Sequence, residues 1–104
     1  MTQDEIGYIG DRIVEAAFAA DGWVCDPDTK QPGSTDIQVH KNGCIRLVQV
    51  KTSVIPKLLS ALSSNELRKI KSRASSLNCE AWLAQVRINE IAQQVGKTEW
   101  TSLR

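Results

Sequence analysis

Asp36, Gln49 and Lys51 are the residues whose types and spacing suggest chemistry, with Glu15 as a fourth. Asn42-Gly43 separates two strand-like runs. This dipeptide signals a two-residue hairpin, because a type I′ turn needs positive φ at both central positions. With that loop, Lys41 faces Cys44, and counting outward in step sets Asp36 opposite Gln49. Facing residues of an antiparallel pair share a face, with Cβ atoms roughly 4.5–5.5 Å apart. Side chains alternate along a strand, so Lys51 falls on that face too. Ile45 and Leu47 occupy the same row as core positions. A glutamine and a lysine continuing it imply that the row opens into a polar cleft. The plainer alternative is that the strand simply leaves the core at Gln49. Glu15 lies on a helix, nearly in line with Tyr8, Asp11 and Phe18 at about 100° per residue. A helical glutamate is more commonly a surface charge, and Asp11, one turn earlier, is a second acidic candidate.

Oxygen ligands such as Asp, Glu and Gln suit a hard divalent cation. Such a cation polarises a phosphoryl oxygen and lowers the pKa of a bound water. A nearby ammonium stabilises the charge that develops during phosphodiester hydrolysis. Neither histidine nor cysteine is needed. The single histidine, His40, argues against a zinc site or a Ser-His-Asp triad. It opposes Ile45 and reads as a partly buried filler. Cys25, Cys44 and Cys79 lack metal-ligand spacing and read as reduced thiols of a cytoplasmic protein. No apolar run is long enough to span a membrane.

The elements that must position these residues follow from periodicity. With 104 residues, of which 41% are hydrophobic and 24% charged, the chain is expected to form one domain over 1–104 with a lean core. Ile6, Ile9, Ile13, Ala17 and Ala20 recur at helical spacing, predicting a helix from about Asp4 to Asp21 that Gly22 stops. Gly22 to Cys25 is a short strand, and Asp26 to Thr35 a polar loop. Asp36 to Lys41 and Cys44 to Thr52 are strands. Ser63 with Glu66 forms a capping box that starts a helix reaching Leu77. Cys79 to Ile88 is a strand, Asn89 to Val95 a short helical turn, and Thr98 to Leu103 a last strand. The fold class is α/β, a mixed sheet with helices packed on it.

Glu15, then Asp36 within Pro32-Gly33-Ser34-Thr35-Asp36, then Gln49-Val50-Lys51, resembles the PD-(D/E)xK nuclease superfamily. The pattern is most similar to archaeal Holliday junction resolvases and Mrr-like restriction endonucleases. The resemblance runs from about Gly10 to Lys51, and the later elements fit that superfamily's restriction-endonuclease-like αβββαβ core. It implies a Mg²⁺-dependent endodeoxyribonuclease, with Mn²⁺ as a substitute. Asp36 would be the principal metal ligand, Gln49 would ligate through its amide oxygen, Glu15 would complete the metal shell, and Lys51 would be the catalytic lysine. Two departures stand out. Thr35 occupies the place where a proline often precedes the aspartate, and Gln49 replaces the usual acidic residue, as in members with a QxK motif. A neutral ligand weakens Mg²⁺ binding, so a nuclease-fold module that binds DNA or a protein without cutting is the alternative.

The net charge is +1, so DNA binding must rest on local charge. Arg68, Lys69, Lys71 and Arg73 cluster on the second helix, with Lys57 in the loop before it and Lys30 before Asp36. A basic solvated helix face is the competing reading. Lys41 and Arg46, near the hairpin, are further candidates. Trp23, Trp82 and Trp100 read as core or interface residues. Cutting two strands of duplex or branched DNA requires two sites, so a homodimer is expected.

Overall fold

A computed structural model describes residues 1–26 and 36–103, with Asp36 described by its backbone alone. Lys30 and the motif residues Pro32 to Thr35 therefore lie outside the described residues. The elements run α1 (Gln3–Ala20), β1 (Val24–Cys25), β2 (Asp36–Lys41), β3 (Cys44–Val54), α2 (Ser64–Leu77), β4 (Glu80–Ile88) and β5 (Glu99–Ser102). The sheet order is β1-β2-β3-β4-β5. Among the described residues β3 and β4 pair in parallel, joined through α2 by the crossover that a parallel pair needs, and the other strand pairs are antiparallel.

Each helix covers one face of this sheet. Val14 and Phe18 of α1 pack with Ile37, Val39, Val48, Ala84, Val86 and Ile88. Ile70 and Ala74 of α2 pack with Leu47 and Ala81. Even-numbered positions of β3 thus face α1 and odd-numbered ones face α2, as alternation dictates. Gly10 sets the distance between α1 and the sheet, because a Cβ there would land on Thr52 Oγ1. Both helices begin with complete capping boxes, Thr2 with Glu5 and Ser63 with Glu66, each worth about 1 kcal/mol.

Asn42 (φ 51°) and Gly43 (φ 80°) form the expected turn between β2 and β3. The segment after β4 differs from expectation. Residues 89–95 form a tight turn rather than a helical one, with Ala92 N–H donating to the Asn89 carbonyl at 3.0 Å. The Asn89 side chain accepts from the N–H groups of Ile91 and Gln93. An asparagine side chain that satisfies nearby backbone donors competes with helix formation, and Ala92 at φ 64° turns the chain back toward β5. Among the described residues no helix is long and apolar enough to cross a membrane.

Candidate active site

The hairpin register sets Asp36 opposite Gln49, and Ile37 opposite Val48. Asp36, Gln49 and Lys51 therefore belong to the sheet face that α2 covers, at the end of β2, past which β3 goes on paired with β4. Gln49 is buried at 5% exposure. Lys51 is half-buried, and its Nζ donates to Glu66 Oε2 at 2.6 Å. Glu66 sits in the first turn of α2, where its Oε1 also accepts from the Ser63 N–H at 3.0 Å. The Lys51 ammonium, followed by the Ser63 backbone donor, holds the Glu66 carboxyl below the usual carboxylate range. Glu66 thus stays ionised beside the lysine. Sequence reasoning saw it only as a capping residue. Its contact with Lys51 depends on how α2 docks, for which the sequence carries no local signal.

Glu15 is placed differently. Its helix packs on the opposite face of the sheet, and its backbone carbonyl receives the Cys25 thiol at 3.9 Å, beside edge strand β1. Burial, followed by the Glu15 and Asp26 charges, pushes the Cys25 thiol up. The crossing of α1 over β3 occurs at Gly10 and Thr52, next to Lys51. Asp11 adjoins that crossing, whereas Glu15 lies one turn, about 6 Å, further along the axis. Of the two acidic residues on this flank of α1, Asp11 is the one next to Gly10, whose close approach is to Thr52, the neighbour of Lys51 in sequence.

Several basic candidates have structural roles. The Arg46 guanidinium stacks between Trp23 (4.6 Å) and Trp82 (5.4 Å) and pairs with Glu80 at 2.9 Å. Lys41 Nζ donates to the Asp21 carbonyl at 2.6 Å, tying the hairpin to the end of α1. Arg73 Nη2 donates to Gln38 Oε1 at 3.4 Å, and Gln38 Nε2 donates to Asp26 Oδ2 at 3.1 Å. Lys57, Arg68, Lys69 and Lys71 are exposed, with the Arg68 guanidinium donating to the Asn65 side chain. His40 is exposed rather than a partly buried filler, its Nδ1 2.7 Å from Asp26 Oδ1. It lies near the hairpin end of β2, opposite Ile45. Trp23 and Trp82 pack against the α1-side core, while Trp100 meets Phe18 edge-on and stays 41% exposed.

Among the described residues no group of three His, Cys, Asp or Glu side chains gathers as a ready metal centre. The donor set nonetheless suits Mg²⁺, which takes one or two carboxylates and keeps several waters. Asp36 lies in register with Gln49, whose amide oxygen is the second oxygen donor.

No family model and no curated protein matches the chain. Among solved structures it is similar to Hjc, a Holliday junction resolvase from the archaeal hyperthermophile Archaeoglobus fulgidus. The TM-score is 0.71 at 16% sequence identity, over 93% of this chain and 72% of that one. The αβββαβ arrangement that the sequence resemblance implied is the fold this chain adopts.

Proposed function

We propose that the protein is a divalent-metal-dependent DNA endonuclease of the resolvase type. The observation that carries this reading is the strand register: the Asn42-Gly43 turn sets Asp36 against Gln49, two residues before Lys51, on a fold similar to that of a Holliday junction resolvase. Asp36 and the Gln49 amide oxygen would hold Mg²⁺ or Mn²⁺, with an acidic residue from α1 completing the shell. Of Asp11 and Glu15, the position of the helix crossing favours Asp11. A bound cation would supply Lewis-acid activation of the phosphate and of a water. Lys51 would stabilise charge accumulating on the phosphoryl oxygens. Lys57, Arg68, Lys69 and Lys71 would neutralise backbone phosphates, and Lys30 and Arg73 are further basic candidates. Two copies would be needed to cut two strands, which makes a homodimer part of the reading. A DNA substrate and free thiols suit the cytoplasm.

The second reading, a DNA-binding scaffold without cleavage, is favoured by one feature, the neutral Gln49. Incubating the purified protein with four-way junction, linear duplex and single-stranded DNA, in Mg²⁺ and in Mn²⁺, separates the two. Cleavage that depends on metal and on Asp36 is the expected result. Binding without cleavage in either metal would reject the enzyme in favour of the scaffold.

A further inference from the structure

Lys51 and Gln85 are register partners on the parallel strands β3 and β4. Both bond to the same short stretch of the connection that follows β3. Lys51 Nζ donates to Glu66 Oε2 at 2.6 Å, and Gln85 Nε2 donates to the Ser60 carbonyl at 2.8 Å. Glu66 is itself fixed by the cap. Its Oε1 accepts from Ser63 N–H at 3.0 Å, and its own N–H donates to Ser63 Oγ at 3.1 Å. One carboxylate oxygen therefore belongs to the helix terminus and the other to the lysine.

This arrangement addresses a difficulty raised by Gln49. A lysine ends a long flexible stem with rotatable donors and samples many rotamers unless a charged group fixes it. The strand offers no carboxylate at position 49 to do so, since the buried Gln49 side chain is neutral. A charge-assisted bond from an anchored carboxylate supplies that fixation. We propose that Glu66 is a positioning residue for Lys51. It acts through the lysine, holding the ammonium at the Asp36–Gln49 end of the sheet, and does not itself bind the metal. The inference rests on the nuclease reading. A ligand role is disfavoured because one oxygen serves the cap and the other already holds a cation.

The test uses Glu66→Gln and Glu66→Asp in the full chain. Glutamine preserves the capping-box pattern, so Glu66→Gln removes the charge and keeps the helix start. Three quantities are read: single-turnover cleavage, Mn²⁺ binding by calorimetry, and the ¹H–¹⁵N signal of the Lys51 ammonium at low temperature, assigned with Lys51→Arg. In the wild type that signal is expected to be protected from exchange, and in Glu66→Gln it disappears. The cleavage rate falls at least about tenfold, with KM for DNA and Mn²⁺ affinity each within about twofold. Glu66→Asp recovers part of the rate. Unchanged or faster cleavage in Glu66→Gln overturns the proposal, since Glu66 would then be irrelevant or a competitor of the phosphate. A Mn²⁺ affinity lowered more than about tenfold also overturns it, making Glu66 a ligand. If the wild type cuts no DNA, the nuclease reading fails separately. The ammonium signal still decides whether Glu66 holds Lys51, and its absence from the wild type refutes the contact.

Discussion

On the proposed nuclease reading Gln49 is the residue on which activity turns, because it would supply an oxygen without a charge. Gln49→Glu adds a carboxylate opposite Asp36. It is expected to tighten Mg²⁺ binding and keep or raise cleavage, whereas Lys51→Ala removes the ammonium and lowers the rate by roughly 10²–10³. Calorimetry with Mg²⁺ and single-turnover cleavage check both, and weaker metal binding in Gln49→Glu would remove Gln49 from the metal site. The two acids of α1 divide in the same way. Asp11→Asn should weaken metal binding more than Glu15→Gln, since Asp11 adjoins the Gly10–Thr52 crossing while Glu15 lies beside Cys25; the reverse order would restore Glu15. The pairing of Asp36 with Gln49 was legible in the sequence because a turn of two residues fixes register by itself. The choice between Asp11 and Glu15 was not. Helical periodicity gives the flank a residue faces but not where along its axis the helix crosses the sheet, and here that point is set by the missing Cβ of Gly10. Glu66 escaped for a related reason: its partner on β3 is fifteen residues away and meets it only when α2 docks.

Helix α2 combines two tasks at its start, since Glu66 closes the cap and pairs with Lys51. Its start was readable from the Ser63–Glu66 capping box, a local feature. The turn over residues 89–95 was misread as helical because apolar and polar residues there mimic a helical period, while the Asn89 side chain satisfies the backbone differently. The depressed Glu66 carboxyl carries a stability consequence of definite sign. Its ordinary value is 4.5 and the folded one lies lower, so the unfolded chain binds the proton more readily. The contribution is fully present above the ordinary value and is lost as pH falls through the folded one. Urea unfolding should show the wild type more stable than Glu66→Gln at about pH 6, with the difference shrinking toward about pH 3. A difference that stays constant over this range would mean that the carboxylate is no better stabilised in the folded protein than in the unfolded chain.

At the scale of the molecule, the sheet separates two surfaces. The α2 side carries the Asp36–Gln49–Lys51 row and the exposed basic residues of α2. The α1 side carries a cleft of about 450 Å³ lined by Phe18, Trp23, Trp82 and Trp100. Trp100 lies on β5, the last strand of the sheet, with all of its residues exposed. An exposed edge beside an aromatic cleft is costly to leave in water. On the proposed nuclease reading a second copy would cover it and would supply the second site that a two-strand cut requires. Sedimentation equilibrium should therefore give twice the 11.5 kDa chain mass at micromolar concentration, where an association of about 8 kcal/mol is half-populated. Trp100→Glu places an uncompensated charge at the contact and should shift the protein to monomer, with circular dichroism checking that the fold survives the loss of the Phe18 contact. The same variant should nick one strand of a junction without resolving it, since each monomer keeps its Asp36–Lys51 row. Wild type that stays monomeric at about 100 µM would count against both the dimer and the paired cut. A Trp100→Glu protein that stays dimeric would retain the paired cut and move the contact away from β5.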